Sequence, residues 1–406
     1  MRSSLLARSG LFVLLLFVSL LNTSFADGNL TLRMKHFSRP GAQPILMVHG
    51  LAENDRLWDG APLANGQSNS MARFFYEQGF DVWVGNMRGA GTAGYRSDSP
   101  PGEAQRWTVE DYAIFDYPTL IQKVSQSTGQ KVWVVTHSMG AWALEGALAG
   151  LEYDSHGNPV PNFDRGQKLS EKIRGVVSIA GIYNFSWNHS IQNITSSPVK
   201  NREDFYQSNY ELELLSRMSA IYPLLHHIDR VSFQWVRSAL GFRMNQIPWI
   251  GGQLASLYSS MQNGLIESPL LDMFFDSQNV TEEQIKSYGK DGLEDLNPRL
   301  LEQVANSILQ QKTLSYFDGF PSANTYHYES VRSHRIQSVL RLPMLFVAGT
   351  HDRLANASMI FRDGYLATQA PDKDFIAVDA GHLDVINGLN ARDRVWLPTM
   401  AWMRQH

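Results

Sequence analysis

A doubly wound α/β domain carrying a large insertion is the fold class this sequence predicts, from three observations. Short apolar runs recur with helix-like segments between several of them, a serine stands where one run gives way to small residues, and about 160 residues of different character interrupt the series. The runs lie at 44–48, 81–85, 131–136, 174–180 and 343–348, with a sixth at 374–378. They are continuous rather than alternating, so each reads as a strand covered on both faces, which is the signature of a mostly parallel sheet between two layers of helix. Strands alternating with helices in this way build doubly wound α/β folds.

In chain order, the first element is a leader. Arg2 and Arg8 precede an apolar run from Leu11 to Leu21, and Ser24, Phe25 and Ala26 form a small-x-small site. This is the layout of a signal peptide at 1–26, cut after Ala26, and the run is about half the ~20 residues a membrane span needs. The expected localisation is therefore export, either periplasmic or secreted. Cleavage would remove two arginines and no acid, so 35 basic residues become 33 against 39 acidic ones, a net charge of −6. A mildly acidic surface without a basic run argues against nucleic acid and against electrostatic docking on anionic lipid. With no cysteine anywhere, the exported chain can form no disulfide and must rest on its core.

The segment 109–127 carries apolar residues at helical spacing, opened by a capping box of Thr108 and Asp111. The residues after Ser138, MGAWALEGALAG, predict a helix whose small side chains let it lie close to the sheet. Segments 27–181 and 341–406 form the expected core. Between them, 182–340 reads as a cap, rich in aromatics that include Phe185, Trp187, Phe205, Tyr206, Trp235, Trp249 and Phe275, with a capping box before a helix at 281–288 and a Gly251–Gly252 pair as a joint.

Chemistry enters at THSMG, residues 136–140. A serine between strand and helix is the geometry of a nucleophile elbow, which needs small residues two before and two after it because strand and helix pass closely there. Gly140 meets the second requirement, and Thr136 stands where glycine is usual. A nucleophilic serine needs a base, a carboxylate to orient the base, and N–H donors for an oxyanion. Asp352 is the first carboxylate after the strand at 343–348, whereas the loop after the preceding strand, AGIYNFSWN, holds none. His382 follows the last strand. Asp374 and Asp379 read as that strand's start and end, His351 is too close to Asp352 to be oriented by it, and His137, His226 and His227 read as structural. The turn at His49 and Gly50 would present the N–H of Leu51, and the elbow helix the N–H of Met139, as oxyanion donors.

These motifs are similar to those of α/β-hydrolases, and within that fold the chain resembles the acid lipases of the gastric and lysosomal type. The resemblance rests on HGL (49–51), GFDVWVGNMRG (79–89), DYAIFDYPTLIQKVSQSTGQ (111–130), THSMG, GTHDRL (349–354) and GHLDV (381–385). It implies a core with helices on both faces and an inserted cap, Ser138, Asp352 and His382 as the triad, and Leu51 and Met139 as the oxyanion pair. The expected activity is cleavage of carboxylic esters of apolar acyl chains, on an apolar ester or lipid substrate met through transient contact of the cap with a lipid interface. Phospholipase, polyester depolymerase, small-ester esterase and acyltransferase chemistry use the same residues, and a non-catalytic exported binding protein would lack one of them. No cofactor and no metal is expected: there is no HExxH, no cysteine ligand and no phosphate-cradling glycine loop. Thr136, the absence of cysteine and an unmatched cap depart from the family pattern, and the last two suit a bacterial relative. The sequence leaves oligomeric state open.

Overall fold

The computed structural model describes residues 20–27, 30–99 apart from 61, 64 and 67, 107–185, 273–294, 297–309 and 342–406. Ten strands occur among them: β1 (Leu20–Asp27), β2 (Leu30–Phe37), β3 (Pro44–Val48), β4 (Asp81–Asn86), β5 (Val132–His137), β6 (Leu151–Tyr153), β7 (Pro159–Pro161), β8 (Ile173–Ile179), β9 (Met344–Gly349) and β10 (Lys373–Val378). Eight form one sheet in the order β1-β2-β4-β3-β5-β8-β9-β10, and β6 and β7 make a separate hairpin. The six strands from β4 to β10 in that order pair parallel with their neighbours, whereas β2 runs antiparallel to both β4 and β1.

All six parallel strands correspond to the apolar runs of the sequence, within a residue or so at each end. Every residue of β3, β4 and β5 is buried, which requires cover on both faces. The helices form two groups. Met71–Glu77 packs with the carboxy-terminal segment Arg392–Trp396, where Phe74 meets Trp396, and Leu397–Gln405 packs with that same segment; Tyr117–Thr128, Met139–Leu148 and Phe163–Ser170 pack among themselves. Trp58, Trp133, Trp142 and Trp396 are wholly buried in the core, each worth a few kcal/mol of transfer from water at about 25 cal/mol per Å².

The capping box at Thr108 forms, its N–H donating to Asp111 Oδ2 at 2.8 Å. The helix it opens contains a π-helical stretch at Tyr112–Asp116 before regular turns resume at Tyr117. That stretch carries Asp116, whose buried carboxylate takes the Arg88 guanidinium at 2.6 Å and the Arg88 N–H at 2.8 Å. The GNMRG turn after β4 is thus bolted to this helix, which connects two of the motifs on which the resemblance rests.

Two expectations were incomplete. The antiparallel pair β1–β2 was not anticipated, and β1 spans the expected cleavage site, so removal of 1–26 would leave β2 as the sheet edge. Of the segment 182–340, the described parts are 182–185, 273–294 and 297–309; the aromatics from Trp187 to Trp249, the glycine pair 251–252, and His226 and His227 lie outside the described residues. The described return segment is stapled to the core. Leu383 N–H donates to Phe274 O at 2.8 Å, Asn54 Nδ2 to Asp291 O at 2.9 Å, and Gln284 Nε2 to Asn387 O at 2.7 Å. Its helix Glu282–Asp291 opens on the expected box, Thr281 with Gln284.

Candidate active site

Parallel strands end at one edge of a sheet, and that edge is where the loops after β3, β5, β9 and β10 converge. Register makes the ends level: Val48 pairs with Thr136, Thr136 with Ser178, and Gly349 with Val378. His49–Gly50, Ser138, Asp352 and His382 follow directly.

Ser138 stands at the N-terminus of Met139–Leu148 with φ 54° and ψ −128°, a backbone conformation that costs a non-glycine residue about 1–3 kcal/mol. The strain is held by both sides of the turn: Ser138 N–H donates to Ile179 O at 3.1 Å, and Ile182 and Ala141 N–H both donate to Ser138 O at 3.0 Å. The hydroxyl is thereby aimed off the sheet edge at His382, with Oγ 2.9 Å from Nε2. On the other side of the ring, Nδ1 lies 2.8 Å from Asp352 Oδ2. Asp352 keeps its second oxygen for the loop, accepting the N–H groups of Leu354 and Ala355 at 2.8 Å each. A carboxylate cannot donate, so Nδ1 carries a proton, and neutral His382 presents a bare Nε2 to the serine. All three are buried. Burial works against protonating His382, yet Asp352 beside it, with Glu53 and Asp384 further off, leaves its pKa above the ordinary imidazole value.

The close approach at the elbow explains both flanking residues. A Cβ on Gly140 would sit 2.5 Å from Thr136 Oγ1 and 2.8 Å from His49 O, so no larger residue fits there without movement. Thr136 is accommodated because its hydroxyl is used. It lies 2.7 Å from Tyr117 OH, which itself donates to Gly140 O at 2.9 Å. The phenol has one proton and gives it to the carbonyl, so Thr136 donates to the phenol oxygen. The threonine thus belongs to a buried link that ties β5, the elbow helix and Tyr117–Thr128 together.

The turn after β3 crowds the nucleophile. A Cβ on Gly50 would meet Ser138 Cβ at 2.7 Å, and Ala52 adopts φ 57° to close the turn. Burial lowers the pKa of His49, and its Nε2 accepts the N–H of Met87 at 3.2 Å, which leaves Nδ1 to donate to Gly50 O at 2.9 Å. Neither Leu51 N–H nor Met139 N–H donates to an acceptor among the described residues, so both remain available to an oxygen at the site.

Other sequence candidates fall elsewhere. Asp379 follows β10 and faces His351 Nε2 at 3.3 Å, at the surface and apart from His382. His351 also meets Asp276 Oδ2 at 2.7 Å. His137, read as structural, is wholly buried beside the site, and Glu53 was missed. Their hydrogen bonds are to each other and to site loops: His137 Nδ1 lies 2.9 Å from Glu53 Oε2, and His137 Nε2 lies 2.9 Å from the carbonyl of His382. Asp384 was missed too. It accepts Gly381 N–H, Asp276 N–H and Asn279 Nδ2, and burial pushes its carboxyl up to about 6. The motif GHLDV contained it, but nothing local separates a loop-tying aspartate from a solvated one.

Comparison with known proteins agrees with this architecture. Over 133 residues the chain is 32% identical to a tear acid lipase-like protein of Mesocricetus auratus, covering 32% of this chain and 29% of that one. It is 30% identical over 100 residues to triacylglycerol lipase 2 of Arabidopsis thaliana, with 24% and 23% covered, and 33% identical over 104 residues to gastric triacylglycerol lipase of Rattus norvegicus, with 25% of each covered. The matched stretches thus span between 23% and 29% of these relatives' lengths. A family model described as the alpha/beta hydrolase fold matches residues 43–389, most of the chain. With its parallel sheet, strained serine turn and convergent loops, the chain belongs to the alpha/beta hydrolase fold family.

Proposed function

We propose that the protein hydrolyses carboxylic esters of apolar acyl chains through an acyl-enzyme, with Ser138 as nucleophile, His382 as general base and Asp352 as its orienting acid. The observation that carries this reading is the unbroken set of contacts from Asp352 through His382 to a strained, buried Ser138. In the first step His382 Nε2 takes the hydroxyl proton as Ser138 Oγ attacks the ester carbonyl. The imidazolium so formed is stabilised by Asp352, which stays ionised and keeps Nδ1 protonated. The N–H groups of Leu51 and Met139 bind the oxyanion, helped by the positive end of the elbow helix. His382 then gives its proton to the departing alcohol, and water repeats the sequence on the acyl-enzyme. The proton taken from Ser138 leaves on the alcohol and one from the attacking water restores the serine hydroxyl, so the enzyme ends the cycle unchanged.

The choice of apolar acyl chains rests on the lipase names of the relatives and on the aromatic content of 182–340. Burial of an acyl chain contributes about 0.8 kcal/mol per methylene, so a cap over Ser138 would favour longer esters. Export by the leader at 1–26, and contact of the cap with a lipid interface, belong to the same proposal. Among the described residues no helix is long and apolar enough to cross a membrane.

Fluorophosphonate labelling and a graded ester panel test the reading together. The wild-type protein is expected to be labelled at Ser138 and to show kcat/KM rising from acetate to octanoate esters. Ser138→Ala should lose labelling and about 10⁶ in turnover. Undiminished labelling of that variant would refute the nucleophile, and a flat chain-length profile would leave a small-ester esterase in place of a lipase.

A further inference from the structure

Glu53 lies three residues beyond the turn that follows β3, fully buried, and one of its oxygens serves two donors. Oε2 accepts the Gly50 N–H at 2.5 Å and lies 2.9 Å from His137 Nδ1. His137 precedes the nucleophile in the chain, and its Nε2 donates to the carbonyl of His382 at 2.9 Å. The two imidazoles are 4.7 Å apart between ring centres. One hydrogen-bonded path therefore runs from the proposed oxyanion turn, through Glu53 and His137, to the backbone of the proposed base. It is separate from the path through Asp352, which reaches the same histidine by its side chain.

We infer that Glu53 and His137 are a second carboxylate–imidazole couple, which positions the oxyanion turn and His382 as a single unit and sets the charge beside the base. The inference rests on the functional reading above. Neither residue touches the reacting atoms, so both are positioning residues. A burial-driven ornament would not need this connectivity: a lone buried carboxylate is costly, and one that ties together two loops carrying proposed catalytic groups keeps them in register while the acyl group enters and leaves.

The neighbouring groups oppose and support the charge as follows. Burial disfavours the ionised form of Glu53, but His137 and His382 beside it and the Gly50 N–H hold its carboxyl below the usual range. His49, Tyr288 and Glu294 also face this pocket, and Asp352 and Asp384 act on His382 from the other side. An ionised Glu53 favours the protonated form of His382. Loss of that charge moves the base's titration to lower pH, and the neutral, active base then persists further into acid.

Glutamine cannot replace the carboxylate. Both donors converge on one oxygen, so an amide oxygen there offers them only a neutral acceptor, and an amide nitrogen there abandons Gly50. The test is the rate of fluorophosphonate labelling at Ser138 as a function of pH, which needs no knowledge of the natural ester. Glu53→Gln is expected to label about tenfold more slowly at its plateau, part of the 10²–10³ lost with a whole oxyanion donor, and to show its acid limb at lower pH than wild type. Glu53→Asp, one methylene short but still charged, should also label slowly while keeping the wild-type limb. Wild-type rates in Glu53→Gln, or a slow plateau with an unmoved limb, would overturn the inference, the second by leaving only a packing role. Should Glu53→Gln fail to fold, Glu53→Asp decides: a wild-type plateau or a displaced limb refutes the positioning role. A wild-type protein that is not labelled at Ser138 at any pH would instead overturn the functional reading, and this inference with it.

Discussion

Consecutive residues on the loop after β9, His351 and Asp352, belong to two histidine–carboxylate couples with opposite surroundings. Asp352 turns inward to His382, where both side chains are almost fully covered, and its other oxygen is taken by two backbone N–H groups. His351 turns outward between Asp276 and Asp379, with its side chain 52% exposed and that of Asp379 77% exposed. The donor and acceptor atoms are the same, and the distances are alike at 2.8 Å and 2.7 Å. Water makes the difference. In the buried couple, geometry is enforced by packing and the charge is felt at low effective dielectric; around His351 the Asp276 side chain is 11% exposed, but the half-exposed ring and Asp379 let solvent screen the charge and compete for the hydrogen bonds. A short distance between histidine and carboxylate is therefore no sign of chemistry until the surroundings are known.

The largest expected effect breaks the buried couple. Asp352→Asn should lower turnover about 10⁴-fold while leaving the fold intact. The asparagine oxygen can still accept from Leu354 and Ala355, so its amide nitrogen faces His382 Nδ1 and donates to it. Nε2 must then carry the ring proton, and it can no longer take one from Ser138. Asp379→Asn should change turnover by less than about threefold, as expected of an exposed ion pair. Steady-state kinetics on the two purified variants check this, and the reverse ranking would transfer the orienting role to Asp379.

What could be read from sequence follows the same division between local and distant causes. Six strands were visible because a strand buried on both faces writes its burial as a continuous apolar run. Ser138, Asp352 and His382 were visible as candidates because each is the first suitable residue after a strand, and the structure brings the three within hydrogen-bond distance. The antiparallel strand β2 was not: LTLRMKHF mixes charge into its pattern, and Lys35 and His36 are buried only because Asp55 and Asp81 meet them at 2.8 Å each. Glu53 was hidden for the same reason. In HGLAEND it is one of three polar residues in a turn, and the imidazole that gives it meaning is 84 positions away. Thr136 was legible as an irregularity, but its use depends on Tyr117, from a helix packed beside its strand.

That threonine supplies a smaller test of how the buried couple is held. Thr136→Val keeps the shape and removes the proton given to Tyr117, whose own bond to Gly140 O survives. The expected cost is about 1 kcal/mol in unfolding free energy, the ordinary worth of one buried hydrogen bond, with turnover within a few-fold of wild type. Denaturant melts and kinetics on one preparation would show it. A folded valine variant without activity would mean that this hydroxyl aligns the elbow for the serine, beyond supporting it.

The smallest effect belongs to the exposed couple, and its pH dependence identifies it. Burial lowers the pKa of His351, but the hydrogen bond to Asp276 and the charges of Asp276, Asp379 and Asp384 outweigh it, leaving the pKa above the ordinary imidazole value. A histidine whose pKa is higher folded than unfolded contributes stability that is fully present below its unfolded pKa, about 6.5, and is lost as pH rises through the folded value. The half-exposed ring limits that contribution to the range of surface ion pairs, roughly 0.2–1 kcal/mol, and salt should reduce it further. His351→Gln should therefore melt slightly earlier than wild type at pH 5.5, match it near pH 9, and show a smaller difference in 1 M salt at the lower pH. A difference that persisted at pH 9 would place the value of His351 in packing of the loop; one that grew with pH would reverse the sign of the coupling. Because Asp352 is the next residue, the same variant also asks whether the two couples are independent. Unchanged turnover at pH 8 would mean that the backbone N–H groups of Leu354 and Ala355 hold the acid without help from its exposed neighbour.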